Sequence, residues 1–312
     1  PVGDLPSDPG ELPPYENGAT AFVSTSLDQL ASGPMATGTL GDLVLKNRFV
    51  RFVVRNQEQS LYNPYPGSLV DADRVRPDGE AGNEQFFELF PMIGFGRVFK
   101  PSKMEIVDDG AFSGTAVVRF SGTDGGISLI DSILQTTSAG LEATVDYILG
   151  PDAHSIEVVT RVKNVGGLVD PIVVGQVLVL GKRLVKFHDV CGANASCLST
   201  SPVRWLAGSQ GDVSYALTVP GPGALQMLLN VEDIMVLQSG SYSLAVGEET
   251  TVRQFLVVGD GTIDDATRKA RELRGEPAGV PVTVDVALSD PESTLSSAFV
   301  QVHEVGAGDA GG

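Results

Sequence analysis

Histidine, cysteine and long apolar runs are scarce in this sequence, and each shortage argues against a class of protein. The 312 residues include only three histidines and two cysteines. The histidines, His154, His188 and His303, form neither an H-x-H nor an H-E-x-x-H motif, so the spacing does not indicate a zinc hydrolase. The longest apolar run, residues 172–180, is interrupted by a Gly-Gln pair. It is far shorter than the roughly 20 residues of a membrane-spanning helix, so no transmembrane segment is predicted.

Motifs of common catalytic folds are also missing, and basic residues are in the minority. The sequence has no G-x-S-x-G nucleophile elbow, no Walker loop and no G-x-G-x-x-G turn. Lys and Arg number 21 against 39 Asp and Glu, which gives a net charge of -18. Nucleic acid is not an expected partner, because phosphate groups repel such a polyanion. No catalytic residue is assigned, so the chain is not predicted to be an enzyme by itself.

Glycine and proline are abundant, with 37 and 19 residues, and only 19% of residues are charged. Between residues 20 and 259, short β-branched and aromatic runs such as 42–46 and 48–55 alternate with turn residues such as 123–126. This spacing is typical of antiparallel sheets in sandwiches and barrels. The sequence therefore predicts an all-β fold, a large two-sheet antiparallel β-sandwich of the supersandwich kind. Five phenylalanines are assigned to its core: Phe86, Phe87, Phe90, Phe95 and Phe99.

One short helix is predicted near the end of the sandwich. Thr262 is suited to the N-cap position, and Asp264 and Asp265 would favour the helix dipole in the first turn. Gly275 and Pro277 end the helix.

The pattern of composition divides the chain into four parts. They are a disordered Pro/Gly-rich tether at 1–18, the β-sandwich at 19–275, two further strands within 276–304 and a disordered tail at 305–312. Two strands cannot form an independent domain, so those within 276–304 either pack on the main body or begin a β-domain that the chain cuts off. The first residue is Pro1 rather than Met, so we expect a processed N-terminus behind an export signal or a lipid-anchored cysteine.

The two cysteines, Cys191 and Cys197, flank five small residues in the sequence CGANASC. This loop is long enough to turn back, so a disulfide is predicted, with a contribution of about 2 kcal/mol to stability. Free thiols in a reducing compartment and a metal site are the alternatives. A disulfide, a tether and strong acidity together favour an extracytoplasmic location: secreted, periplasmic or on the outer surface as a lipoprotein.

Four carboxylates lie close together in a segment that is predicted to be a loop: Asp71, Asp73, Asp78 and Glu80. Hard oxygen ligands in a flexible loop suit Ca²⁺, which is the only cofactor predicted. The EF-hand pattern fails at Val75, and Arg74 and Arg76 could neutralise the carboxylates instead. A self-paired, solvated loop is therefore the alternative to a calcium site.

A second loop carries Tyr62, Asn63 and Tyr65 in the sequence YNPYPG. Aromatic rings beside amides and carboxylates can stack on sugars and form hydrogen bonds with their hydroxyl groups. These three residues are therefore the candidate ligand-binding set, with carbohydrate as the predicted ligand. The alternative is that both tyrosine rings close one end of the sandwich.

Three stretches carry a family resemblance: 38–54 continued at 66–73, 156–167 with its VTRVKNVGG sequence, and 255–260 followed by 279–288. The first stretch resembles the N-terminal β-rich region of secreted CehA/McbA-type proteins, which carry a metallohydrolase domain of the polymerase-and-histidinol-phosphatase (PHP) type further along the chain. The second stretch looks like the step from a strand to Asn-x-Gly in large sandwiches of the sugar-enzyme kind. The third is similar to the passage of the CehA/McbA-type family into a carboxypeptidase-regulatory-like β-domain. The resemblance implies a β-rich accessory region. The histidine-rich metal motifs of that family are absent here, so the resemblance supplies no catalytic residue.

The leading functional prediction is a non-catalytic extracytoplasmic β-sandwich module for binding or scaffolding, accessory to a larger surface or secreted protein. Its expected partner is carbohydrate or another surface protein. The first alternative is a carbohydrate-active sandwich enzyme, a lyase or a mutarotase-like epimerase. Its acid and base would have to come from groups such as Tyr62, Tyr65, His154 and His188. The second alternative is a structural surface or filament protein.

Overall fold

The computed structural model describes residues 17–57, 59–77, 79–94, 96–127, 140–166, 171–181, 184–190, 192, 201–231 and 233–277. Most of the predicted tether, the predicted strands within 276–304, the tail and both cysteines lie outside these residues. The domain boundaries and the disulfide therefore stay predictions.

Sixteen strands account for about half of the described residues. They are β1 Thr20–Val23, β2 Leu43–Lys46, β3 Val50–Val54, β4 Leu69–Arg74, β5 Phe86–Ile93, β6 Arg97–Asp109, β7 Ala116–Gly126, β8 Leu141–Leu149, β9 Ser155–Asn164, β10 Ile172–Leu180, β11 Val185–His188, β12 Trp205–Gln210, β13 Val213–Thr218, β14 Gln226–Val231, β15 Ile234–Tyr242 and β16 Glu249–Gly259. Every recorded strand pair is antiparallel. The all-β sandwich prediction is confirmed.

The strands follow one hydrogen-bonded path from β1 through β9 and then β16, β13, β12 and β11. A branch leaves this path at β5, because β5 pairs along most of its length with β10, which continues to β15 and β14. By contrast, single residue pairs join β5 to β4, at Leu69 and Leu89, and to β6, at Met92 and Val98. Strand β5 is thus the place where the two parts of the sheet meet.

The main core forms because apolar side chains alternate along the strands. In β8, Leu141, Ala143, Val145, Tyr147 and Leu149 all belong to the core cluster, as the two-residue period of a strand requires. Side chains from β2–β5 and β10 meet them in the same cluster. The intervening positions of β8 face the other way, and three of the four are polar: Glu142, Thr144 and Asp146.

The predicted helix is present as α1, Ile263–Leu273. Thr262 is its N-cap, and the Thr262 hydroxyl accepts a hydrogen bond from the backbone N–H of Asp265 at 3.1 Å. Ala266 and Ala270 are fully buried in a small apolar cluster with residues of β12, β13 and β16. No helix in the described part of the chain is both long and apolar enough to cross a bilayer.

Candidate functional site

A cavity of about 410 Å³, called here the first cavity, opens beside strands β4 and β5. Two loops, 32–42 and 55–67, contribute most of its lining, and Val70, Phe87 and Glu88 contribute the rest. The polar side chains from the loops are Thr37, Thr39, Arg55, Gln59 and Ser60. The cavity therefore combines one aromatic ring with several hydrogen-bonding groups.

Asp71, from the predicted calcium set, holds the 32–42 loop in place. It lies in β4 rather than in a loop, and it is fully buried. Asp71 Oδ1 accepts a hydrogen bond from the backbone N–H of Thr37 at 2.7 Å, and Oδ2 accepts one from Gly38 at 2.9 Å. A Cβ at position 38 would lie only 2.5 Å from Asp71 Oδ2, so this contact needs glycine.

Arg55 ties the same loop to the neighbouring 55–67 loop. Its Nη2 donates to the carbonyl of Thr37 at 2.8 Å, and its Nη1 donates to Thr39 Oγ1 at 2.8 Å and to Asp42 Oδ2 at 3.0 Å. The ion pair with Asp42 is almost completely buried. Arg55 Nε is also buried, and within the described residues it has no hydrogen-bond partner. The hydrogen bonds to Thr37, Thr39 and Asp42 therefore fix the guanidinium of Arg55 beside the first cavity.

A second buried carboxyl, that of Glu84, lies beside Asp71. Burial, the largest influence, raises the pKa of Asp71 to about 6, although the amides of Thr37 and Gly38 and the charge of Arg55 oppose the shift. Burial, followed by the nearby charge of Asp71, raises the pKa of Glu84 well above its ordinary value. Glu84 Oε2 has no hydrogen-bond partner in the described structure. Burial therefore favours the neutral form of both carboxyls.

The raised pKa of Asp71 predicts a pH-dependent stability. A carboxyl whose pKa is about 6 when folded and 3.8 when unfolded contributes stability that is complete below about pH 4 and is lost as the pH rises through 6. The difference corresponds to about 3 kcal/mol. We expect the free energy of unfolding of the wild type, relative to Asp71→Asn, to fall by about this amount between pH 4 and pH 7.

Urea unfolding of both proteins at several pH values measures this difference. Glu84 remains in the variant but loses the nearby charge of Asp71, so the difference between the two proteins includes the change in the titration of Glu84. The loss of one hydrogen-bond acceptor in asparagine is independent of pH. Parallel stability curves for the two proteins would contradict the assignment.

The three predicted ligand-binding residues have different environments. Tyr62 is 37% exposed, and its ring lies 5.4 Å from that of Phe87 in an edge-to-face arrangement. Asn63 is buried, and its Nδ2 donates to Ser68 Oγ at 2.9 Å. Tyr65 donates its hydroxyl to the carbonyl of Gly126 at 2.9 Å. Tyr62 thus remains available to a ligand, whereas Asn63 and Tyr65 shape the loop that carries it.

Glu88 and Phe87 were not singled out as ligand-binding residues from the sequence. Glu88 is buried, and its carboxylate accepts hydrogen bonds from the Ser60 hydroxyl and, at 3.2 Å, from the backbone N–H of Tyr62. Burial raises the pKa of Glu88, although these hydrogen bonds oppose the shift. Phe87 is only partly buried, unlike the buried Phe86 and Phe90. Phe87 packs against the same apolar cluster as Phe90, because the register between β5 and β10 shifts beside it. Simple alternation along the strand would place Phe87 with Leu89 in the main core, so it does not identify Phe87 as a cavity residue.

A second cavity of about 280 Å³ also has Phe87 in its wall. Its apolar lining consists of Pro34, Met35, Tyr62, Phe87, Val179 and Leu180, and its polar lining consists of Gln85 and Asp233. Both polar side chains are engaged elsewhere, because Gln85 Nε2 donates to Asn83 Oδ1 at 2.7 Å and Asp233 accepts from Lys186 Nζ at 2.7 Å. The second cavity is therefore predominantly apolar.

The remaining residues of the predicted calcium set are not gathered around one point. Asp73 lies in β4 and forms an ion pair of 3.0 Å with Arg76, which also contacts Asp212. Glu80 is exposed, and Asp78 lies outside the described residues. Within the described ranges there is no group of three or more His, Cys, Asp or Glu side chains that could hold a metal ion. Calcium binding stays a prediction because Asp78 is part of the set.

The histidines proposed as acid or base groups do not line either cavity. His154 packs against Phe49, with ring centroids 4.3 Å apart, and burial followed by the charge of Lys269 lowers its pKa. His188 is buried at the end of β11. His303 lies outside the described residues.

A third concave region, a groove of about 310 Å³, lies across the polar face of β7, β8 and β9. Arg161 lines this groove, and together with Arg119 it forms ion pairs with Asp146 at 2.6 Å. Among the residues that the structure describes, no aromatic side chain lines it. The first cavity, which combines a ring with uncommitted hydrogen-bonding groups, is therefore the better candidate for a ligand site.

Comparison with known proteins gives similarity of structure only. No family model and no curated protein matches the sequence. The chain is similar to a TPR-domain containing protein from Parabacteroides distasonis, with 10% identity, a TM-score of 0.47, and coverage of 86% of this chain and 56% of the other. It is also similar to a galactose mutarotase-like protein from Lactobacillus casei, with 9% identity, a TM-score of 0.43, and coverage of 70% and 100%.

A third similar structure is a GH36 alpha-galactosidase from Geobacillus stearothermophilus, with 11% identity and a TM-score of 0.43. It covers 81% of this chain, which spans 43% of that enzyme. Likenesses at this level assign no activity to this chain. The resemblance to CehA/McbA-type proteins stays a prediction. The described residues define the class of protein, a large antiparallel β-sandwich with two adjoining cavities beside β5.

Proposed function

We propose that this chain is a non-catalytic binding module that holds a carbohydrate in the first cavity. The observation that carries this proposal is the lining of the cavity, where the ring of Phe87 lies beside the hydrogen-bonding side chains of Thr37, Arg55 and Gln59. A sugar ring presents C–H groups on its faces and hydroxyl groups around its edge. It therefore suits a site that offers an aromatic ring and several donors and acceptors.

The volume of the first cavity and the hydrogen bonds that fix its two loops support the same proposal. A cavity of about 410 Å³ is within the usual range for small-molecule sites. The carboxylates of Asp71 and Glu88 hold the two loops in place through backbone amides. A site whose walls are fixed in this way loses less conformational entropy when it binds a ligand.

The test is binding to a glycan array, followed by calorimetric titration of the sugars that bind. We expect Phe87→Ala and Gln59→Ala each to weaken binding at least about tenfold, which corresponds to about 1.4 kcal/mol. Gln59 is exposed, so its replacement leaves the fold intact. Phe112→Ala is the control, because Phe112 is a 55% exposed ring in the turn between β6 and β7. Unchanged affinity in both site variants would contradict the proposal.

Glu88 favours a second candidate function, that of a carbohydrate-active lyase or epimerase. It is a cavity-lining carboxyl with a raised pKa, as a general acid or base requires. Catalysis would need a second titrating group, and neither of the described histidines, His154 and His188, lines the first cavity. Sugar turnover that is lost in Glu88→Gln while binding is retained would favour the enzyme over the binding module.

The location outside the cytoplasm and the accessory role beside a PHP-type domain belong to the same proposal. They rest on the net charge of -18, on the spacing of Cys191 and Cys197, and on the resemblance of the N-terminal strands. Alkylation of two thiols in unreduced native protein would contradict the disulfide and weaken the case for export.

A further inference from the structure

We infer that the ligand is a glycoside with an apolar aglycone, and that the aglycone occupies the second cavity. This inference rests on the proposed carbohydrate binding in the first cavity. Phe87 lines both cavities, so a ligand that contacts its ring in one cavity is next to the other. Tyr62, whose ring lies 5.4 Å from that of Phe87, lines the second cavity and is 37% exposed.

The two cavities differ in the hydrogen-bonding capacity that they offer. In the first cavity, the side chain of Gln59 is exposed, so its amide can form hydrogen bonds with a ligand. In the second cavity, Gln85 and Asp233 already have partners in Asn83 and Lys186. A second sugar ring would therefore have to give up hydrogen bonds with water without a full replacement, which is unfavourable.

An apolar group fits the second cavity because most of the lining side chains are apolar. Its walls include Pro34, Met35, Val179 and Leu180 together with the two rings. Moving an aromatic or aliphatic aglycone from water into such a cavity is favoured in proportion to the apolar area buried. The pair of cavities therefore selects an amphipathic ligand whose sugar lies on one side of Phe87 and whose aglycone lies on the other.

The experiment compares the methyl and phenyl glycosides of glucose, galactose and mannose by calorimetric titration of the full chain. We expect the phenyl glycoside of the preferred sugar to bind at least about tenfold more tightly than the methyl glycoside. The Met35→Ala variant removes one apolar wall and should reduce this advantage to less than about threefold, while binding of the methyl glycoside is unchanged. The Gln59→Ala variant should weaken both glycosides by the same factor.

The outcomes separate this inference from the proposed function. Equal affinity for the methyl and phenyl glycosides would overturn the aglycone site and leave the carbohydrate site standing. A disaccharide of the same sugar that gains as much affinity as the phenyl glycoside would also overturn it, because the second cavity would then accept a sugar. Binding of neither glycoside of any sugar would overturn the proposed function and this inference together.

Discussion

Replacement of Asp124 by alanine is expected to lower the free energy of unfolding by about 3–5 kcal/mol, because it removes one partner of a buried ion pair. Asp124 Oδ2 accepts a hydrogen bond from Arg97 Nε at 2.5 Å, and its Oδ1 accepts one from the backbone N–H of Leu141 at 3.1 Å. The side chains of Asp124 and Arg97 are 0% and 10% exposed. The variant would leave the guanidinium of Arg97 buried without this carboxylate.

Asp152→Ala is the matched control for that prediction. Asp152 forms an ion pair of 2.8 Å with Arg48, but the two side chains are 69% and 55% exposed. Exposed pairs contribute only about 0–1 kcal/mol, since water and salt screen them. Urea unfolding at neutral pH measures both variants. Similar small losses in the two would show that the Arg97–Asp124 pair is not a structural link between β6, β7 and β8.

Local sequence patterns were sufficient to predict the class of fold and the helix. The alternation of apolar residues in segments such as Leu141–Leu149 is the direct consequence of one buried face. The N-cap at Thr262 and the stop at Gly275 depend only on neighbouring residues. Both patterns can be recognised from neighbouring residues alone, without knowing which residues pack on the other side of the sandwich.

The turn that was predicted at 123–126 is wrong, because those residues continue strand β7 and pair with β6. Gly125 and Gly126 are typical of a turn, but Gly125 is explained instead by the lack of space for a side chain at this position. A Cβ on Gly125 would lie 2.8 Å from the ring of Tyr65 and from Lys100 Cβ. Gly125 therefore marks a close approach between strand β7 and the loop that carries Tyr65, about 60 residues earlier in the sequence.

The candidate site was only partly predictable for a similar reason. The residue type identifies Tyr62, but the sequence predicts a loop at Asp71 and Asp73, whereas both lie in β4. Asp71 is buried because amides of residues 37 and 38, more than 30 positions earlier, satisfy its oxygens. Phe87 was assigned to the core with its neighbours, whereas it lies on the opposite side of β5 and lines both cavities.

Tyr215, in strand β13, forms hydrogen bonds with the backbone at the start of strand β5. Its hydroxyl accepts hydrogen bonds from the backbone N–H groups of Gln85 and Phe86, both at 3.1 Å, and donates to the carbonyl of Ala72 at 2.9 Å. The side chain is 1% exposed, and burial keeps its pKa well above the ordinary value. The neutral hydroxyl can therefore serve all three backbone groups.

Tyr215→Phe should lower the free energy of unfolding by about 4 kcal/mol, because three buried backbone groups lose a partner at about 1–3 kcal/mol each. Carbohydrate binding should weaken in addition, since Phe87 directly follows the released N–H of Phe86. The control is Tyr147→Phe. Tyr147 is equally buried, but its hydroxyl donates to one group, the carbonyl of Gly67 at 2.6 Å, so the loss of this hydroxyl should cost about 1–2 kcal/mol. Urea unfolding and sugar titration of both variants measure the two effects. Equal losses of stability in the two variants, with binding unchanged, would show that Tyr215 does not position the part of β5 that carries the site.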